Sequence, residues 1–439
     1  MRKWIDFYLK EKNKFTSQLL KWGNSKDNFI VLNGNSGLVD KQTYRNYDLI
    51  AAAGAIEQIS CNSTSCFEQL RSFSKKNDDW LFGYFSYDLK NELEDLKSEN
   101  FDGLGFPELY FFIPEYIFLV KDDKLDIGYL SHLTCSTTVA PIFYEIETFV
   151  QENNNTDYQK NEINNRISKQ EYLSIVEKLQ KHILKGDIYE ANFCQEFYAE
   201  NSKINPLEIY QRLNSVSPTP FSAYLKNNNN YLMSASPERF LTKRGEKIIS
   251  QPIKGTAKRG NNPGEDEKLK LELETNEKER AENIMIVDLV RNDLSKTAKK
   301  GSVEVEELCK IYSFEQVHQM ISTVGAKIDS EKFDIIDVIK NAFPMGSMTG
   351  TPKIRALELI EKYEKTKRGL YSGAVGYISP DKDFDFNVVI RSILYNEKNK
   401  YFSYIVGSAI TFKSDAEMEY DECLLKAKAM RKVLETGHN

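Results

Sequence analysis

The sequence is poor in the residues that bind soft metals or titrate near neutrality. Its four histidines, His132, His182, His318 and His438, show neither HExxH nor HxH spacing, which argues against zinc-dependent hydrolysis. Its six cysteines, Cys61, Cys66, Cys135, Cys194, Cys309 and Cys423, form no CxxC pair, and reduced thiols in a cytoplasm are the expectation. No apolar run approaches the ~20 residues a membrane-spanning helix needs, and the charged start MRKWIDFYLKEKNKF is no secretion signal. Positive charge is not in excess: 59 Lys+Arg against 65 Asp+Glu give −6. There is thus no global basic field for nucleic acid or an anionic membrane. An anionic ligand has to be held by local cations. An internal repeat, the GK[ST] ending of a Walker A loop and a G-x-C-x-G nucleophile elbow are also missing, so neither nucleotide binding nor glutamine hydrolysis within this chain is supported.

What is present is globular. Over 439 residues, 41% hydrophobic, 12% aromatic and 28% charged side chains can bury a sizeable core, and at ~150 residues per domain the chain allows about three domains, or one or two large ones. The polar stretch 151–166 reads as a linker or long loop between an N-terminal region, 1–150, and a larger region, 167–436. Strands are expected at Phe29–Asn33, Trp80–Tyr87, Leu109–Val120, Ile188–Phe197, Ser222–Leu225, Tyr231–Ser236, Ile248–Ile253, Gly373–Ile378, Val388–Tyr395 and Tyr401–Ile410. The polar tip Asn227–Asn230 suggests a hairpin. Helices are expected from Ser168 to Lys185 with a Ser168/Glu171 capping box, along Asp266–Leu294, over Phe314–Val324, near Ile335–Ala342, and after Thr351 and Pro352 as N-cap and N1. A last helix should span Asp415–Leu434, behind a Ser414/Glu417 box. Mixed clusters without regular βαβ alternation argue α+β with large antiparallel sheets.

Several residues are candidates for chemistry. Glu279 and Glu282 lie three apart on one helix, and Glu419 and Glu422 repeat the device on the last. If the pairs converge, they suit a hard cation such as magnesium; the plainer alternative is two solvated faces with a Glu422–Lys426 ion pair. Lys254, in QPIKGT, would be a nucleophile if burial lowered its pKa, or a plain surface lysine at a strand end. Glu238, in SPERF, would be a carboxylic acid of raised pKa, or an ion-pair partner of Arg239. The turn Phe343–Lys353 offers backbone amides to an anion. His318 is a further candidate, or only a packed imidazole.

Taken together, these segments resemble the chorismate-utilising enzymes, which include anthranilate, aminodeoxychorismate, isochorismate and salicylate synthases. The blocks are GDIYEANFCQEF (186–197), SPERFL (236–241), PIKGT (252–256), ERAENIMIVDLVRNDLS (279–295), FPMGSMTGTPKIRA (343–356), RGLYSGAVGYIS (368–379), VVIRS (388–392) and EMEYDECLLKAKA (417–429). They cover nearly all of 165–435 in family order; GYFSYD (83–88) and FFIP (111–114) extend a looser likeness into the N-terminal third. The resemblance implies two large, mostly antiparallel sheets packed as a sandwich with helices outside. It implies magnesium on Glu282 and Glu422, with Glu279 and Glu419 beside them, and the enolpyruvyl carboxylate on Arg391, with Tyr371 and the amides of Gly407, Ser408 and Ala409. Gly255, Thr256, Lys426 and His318 also match site residues.

Three positions bear on which nucleophile is used. Lys254 resembles the aminodeoxychorismate synthase form, in which the amine adds at C2 and expels the C4 hydroxyl before ammonia attacks C4; anthranilate synthases usually have alanine there. Glu238 matches the acid that protonates the departing hydroxyl. Glu190 stands where water-adding members carry a lysine and most amine-adding members a glutamine, so it departs from both. Ala409 replaces a usual glycine. The resemblance further implies ammonia from a glutamine amidotransferase component II subunit. It matches Pro220, Phe221 and Ser222 to one wall of a tryptophan pocket, whose other wall, near Phe29–Asp48, lacks the Leu-Leu-Glu-Ser motif of feedback-regulated members. The rival readings are an anthranilate synthase component I, which adds ammonia at C2, and a non-catalytic chorismate- or tryptophan-binding subunit.

Overall fold

Side chains alternate between two cores along the strands, and this period of two fixes the layers. In Asn28–Asn33, Phe29 and Val31 join one cluster while Ile30 enters the other; in Phe221–Asn227, Tyr224 joins the first and Ala223 and Leu225 the second. The computed structural model describes residues 2–36, 44–62, 64–131, 136–150, 161–314 and 317–435.

One sheet runs, strand beside strand, through Arg2–Tyr8, Lys124–Leu130, Leu109–Lys121, Leu49–Cys61, Asn28–Asn33, Phe221–Asn227, Asn230–Ser236, Ser392–Asn396, Tyr401–Ile410 and Glu190–Ala199. The other leaves Leu109–Lys121 through Leu81–Phe85, Ala374–Ile378, Phe384–Val388, Arg239–Arg244 and Lys247–Gln251 to Val317–Lys327. Ile253–Lys258 and Glu304–Ser313 complete it. All these pairings are antiparallel. The two 13-residue strands Leu49–Cys61 and Leu109–Lys121 serve both sheets. They turn the corner at a bulge between Ala55 and Glu57, beside Gly54 at φ +72° and opposite Pro114, as bulges do where a sheet must bend.

Helices cover the outer faces. Lys12–Asn24, Lys169–Leu184, Pro206–Val216, Lys353–Tyr363 and Ala416–Glu435 contribute to one core. Cys66–Lys76, Glu277–Ser295 and Ile335–Ala342 contribute to the other. The α+β, two-sheet architecture expected from the sequence is the one observed. Among the described residues, no helix is long and apolar enough to cross a membrane.

Several local expectations are corrected. The segment around His318 is the strand Val317–Lys327, not a helix; 318–326 are all buried, so the segment shows no period that would separate strand from helix. The charged helix is two helices, Pro263–Thr275 and Glu277–Ser295, because Asn276 ends the first and its side chain accepts from Glu279 N–H to cap the second. The run Ile248–Ile253 divides at Pro252, which has no N–H for a ladder. Val388–Tyr395 divides into two strands around Arg391, whose φ is +50°. Helix Lys353–Tyr363 has Pro352 as its N-cap residue, while Thr351 pairs with Glu190. In the last helix the cap is Asp415, which accepts from Met418 N–H at 3.0 Å, while Ser414 Oγ accepts from Thr411 N–H. Residues 151–160 of the expected linker lie outside the described residues, but Asn164–Asn165 already pair with Phe197 and Tyr198.

Thiol chemistry also differs from expectation. Cys61 closes a strand and Cys66 opens the helix Cys66–Lys76; the turn sets their Cα atoms 5.6 Å apart, and the two are disulfide-bonded. Cys194, Cys309 and Cys423 are free and buried. Cys135 lies outside the described residues.

Candidate functional site

The ends of the two sheets meet at one pair of side chains. Glu190 opens the strand Glu190–Ala199 of the first sheet, and Lys254 lies on Ile253–Lys258 of the second; Lys254 Nζ stands 3.0 Å from Glu190 Oε1. Both are well covered, with side chains 12% and 1% exposed. The other Glu190 oxygen, Oε2, is buried without a hydrogen-bond partner among the described residues. Burial lowers the Lys254 ammonium pKa, but the carboxylates of Glu190, Glu282 and Glu238 outweigh it and hold Lys254 above its ordinary value. The lowered pKa expected of Lys254 is therefore corrected. It rests as an ammonium.

Glu238 follows the strand Asn230–Ser236 and is 5% exposed. Burial pushes its carboxyl up to about 7, although the Ser347 hydroxyl, donating to Oε1 at 2.6 Å, and the Lys254 charge act the other way. Near neutral pH this carboxyl keeps a proton it can give up. Behind it lies a cavity of about 20 Å³ bounded by Glu238, Ser250, Asp293 and Ser347. The Arg239 guanidinium, considered as an alternative partner, binds Asp385 and Gln251.

The four glutamates approach from two helices. Lys278 Nζ lies 3.9 Å from Glu282 Oε1 and 3.6 Å from Glu419 Oε1, and its pKa is raised against burial by Glu419, Glu282, Glu279 and Glu422 together. Burial pushes Glu282 up to about 7 and raises Glu279, whereas Lys426, 2.7 Å from Glu422, lowers Glu422 against its burial. Ser408 Oγ donates to Glu419. Among the described residues, no three His, Cys, Asp or Glu are already grouped as a metal site. The residues nevertheless fit a hard cation: every donor is a carboxylate oxygen, and Glu282 Oε1 is buried with no hydrogen bond. Gly255, at φ +90°, lets this group close up, since a Cβ there would meet Glu279 Oε2 at 3.2 Å.

Arg391 makes no side-chain hydrogen bond or ion pair among the described residues, and its charge acts on Glu238, as a group awaiting an anion would. Tyr371 is buried, with its hydroxyl 3.9 Å from Cys194 Sγ. Gly407 accepts from Lys426 Nζ at 2.9 Å, and a Cβ there would collide with Cys194 Sγ at 2.4 Å. Ala409 faces Asn192 across the same strand pair and is half-buried. Thr256 is exposed and pairs with Gln319. His318 is not brought into contact with Lys254 or Glu238; its ring nitrogens meet Ser313 Oγ at 2.9 Å and Asp266 Oδ1 at 3.0 Å.

Phe221 lies under the Arg239 guanidinium, 4.9 Å from its ring centroid, and lines a second cavity of about 10 Å³. Ser222 Oγ donates to Tyr210 Oη at 3.1 Å, and Pro220 precedes the strand. Ser222 pairs with Asn33 of the facing wall, of which 37–43 lie outside the described residues.

Sequence reasoning missed Ser347 as partner of Glu238, and Lys278 among the glutamates. Ser347 was visible only as one hydroxyl of a turn, and Lys278 adjoins Glu279 with nothing in its spacing to mark it.

The family model for the chorismate binding enzyme matches residues 25–432. The aminodeoxychorismate synthase component 1 of Bacillus subtilis is 32% identical over 80% of this chain and 76% of its own length. The probable chloroplastic aminodeoxychorismate synthase of Oryza sativa is 43% identical over 61% of this chain, which spans only 30% of that relative. The solved structure of anthranilate synthase component I from Streptococcus pneumoniae superposes with a TM-score of 0.77 at 24% identity, covering 91% of this chain and 95% of that one. With a shared architecture and a family match over residues 25–432, the chain belongs to the chorismate binding enzyme family.

Proposed function

We propose that this chain aminates chorismate at C4, as component 1 of an aminodeoxychorismate synthase, giving 4-amino-4-deoxychorismate and water from chorismate and ammonia. The observation that carries the reading is a covered amine and a buried carboxyl close enough to act on each other's charge, the carboxyl raised by burial to about 7 so that a proton is at hand near neutral pH: Lys254 and Glu238. A binding module needs neither, and an anthranilate synthase has no use for the amine. The Bacillus subtilis and Oryza sativa relatives carry that activity in their names, over 80% and 61% of this chain.

In this reading the Lys254 amine adds at C2 as the C4–O bond breaks, and Glu238 gives its proton to the departing hydroxyl, which leaves as water. Ammonia then attacks C4, and the C2–N bond breaks to free the lysine. Arg391 holds the enolpyruvyl carboxylate, with Tyr371 and the amides of Gly407 to Ala409 at its side. Glu282 and Glu422 would hold magnesium, with Glu279 and Glu419 adjoining. Bound there, magnesium would supply positive charge to neutralise the ring carboxylate and so favour loss of the hydroxyl. Gly255 and Lys426 keep these carboxylates and the Gly407 backbone in place. Ammonia comes from a glutamine amidotransferase partner in the cytoplasm, which the designation component 1 among the relatives supports.

The test is product identity. Purified chain, chorismate, magnesium and ammonium should yield a compound that an aminodeoxychorismate lyase converts to 4-aminobenzoate. Direct formation of anthranilate would overturn the reading in favour of C2 amination.

A further inference from the structure

We propose that Glu190 takes the proton from Lys254 that makes it a nucleophile, and returns that proton when the lysine departs. This rests on the reading of Lys254 as the group that adds at C2.

An ammonium has no lone pair, so Lys254 needs a base before it can attack. The carboxylates acting on it are Glu190, Glu282 and Glu238. Glu238 is tied to Ser347 and has to carry a proton for the hydroxyl. Glu282 stands with Glu279 and Lys278 in the oxygen-rich group. Glu190 is left, 3.0 Å from Nζ, and no other donor competes for it among the described residues, since its Oε2 has no partner. Its backbone is fixed as well: Glu190 pairs with Thr351, and a Cβ on Gly350 would meet Glu190 O at 2.1 Å.

The proton count closes over a full cycle. A Lys254 N–H bond breaks, its proton passes to Glu190, and the freed electron pair forms the bond to C2. The C4–O bond breaks and the hydroxyl leaves with the Glu238 proton as water. Ammonia bonds to C4, the C2–N bond breaks with its electron pair on the lysine, and Glu190 returns the proton to it. The new C4 ammonium gives one proton to Glu238, and both carboxyls are reset.

The experiment is a single turnover of the full chain with chorismate and magnesium but no ammonia, quenched and read by peptide mass spectrometry. The species sought is Lys254 carrying chorismate less one water. At pH 7, Glu190→Gln should form it at least about 100-fold more slowly than wild type. It should recover most of that rate near pH 10, where a lysine loses its proton unaided. Glu190→Asp, which keeps the carboxylate but withdraws it by one carbon, should fall between and recover likewise. A wild-type rate in Glu190→Gln at pH 7, or a loss that alkali does not restore in either variant, overturns the assignment. If wild type aminates C4 without any adduct, the covalent route fails and this inference with it. If wild type releases anthranilate, the functional reading has failed.

Discussion

Glu238 turns its burial into a titration property with two measurable sides. Its carboxyl sits at about 7 in the fold, burial being the main cause, against about 4.3 in an unfolded chain. Between those values the folded protein keeps a proton that the unfolded chain has released, so stability falls as pH rises through this window and levels off above it. Glu238→Gln should therefore be more stable than wild type at pH 8, by up to about 3 kcal/mol, with little difference at pH 4.5; denaturant melts at the two pH values check this. An equal difference at both would show that the carboxyl is not shifted. The same variant should lose C4 amination by about 100-fold or more, because an amide cannot deliver a proton to the hydroxyl. Lys254→Ala should abolish or greatly slow C4 amination; unchanged output would remove the lysine from the chemistry.

Among the elements, the joint at Asn276 matters most to the site. One amide side chain accepts from Glu279 N–H at 3.1 Å and so starts the helix that carries Glu279 and Glu282. Asn276→Ala should cost about 1 kcal/mol of stability and weaken magnesium binding in a calorimetric titration, while Asn276→Asp should preserve both. Unchanged magnesium affinity in Asn276→Ala would uncouple the cap from the carboxylates. This joint also shows where sequence reading stops. Tyr401–Ile410 was legible to the residue and Asn28–Asn33 nearly so, because apolar side chains and flanking turns mark them. A continuous charged run hides a helix break, since Thr275-Asn276 differs from its neighbours only in what its side chain can cap. The His318 strand was misread because burial on both faces erases the alternation that identifies strands. The Cys61–Cys66 bond depends on a turn whose geometry six residues of sequence do not specify. The resemblance singled out Lys254, Glu238 and the four glutamates, which the fold gathers, and also His318, which it leaves on Ser313 and Asp266, while the Lys254–Glu190 contact and the Ser347 bond required the sheets to be in place.

For the whole molecule, the N-terminal strands are structural members of the sheets that hold the site. Asn28–Asn33 pairs with Phe221–Asn227, and Leu81–Phe85 pairs with Ala374–Ile378. A chain begun at residue 161 would leave both partner strands with open edges and strip Leu81, Phe82, Phe111 and Phe112 from the core. Such a fragment should be insoluble or lack cooperative unfolding; a sharp thermal transition with retained chorismate binding would show the C-terminal region to be autonomous.

The placement of Ala374–Ile378 also has a consequence for synthesis on the ribosome. Its partner Phe85 is made about 290 residues earlier than Ala374, so at ~5–20 residues per second the Leu81–Phe85 edge waits roughly 15–60 s for its neighbour. A nascent chain thus carries an apolar strand with unsatisfied backbone groups for most of its elongation, and its yield in cells should depend on what shields that edge until about the last seventh of the polypeptide emerges.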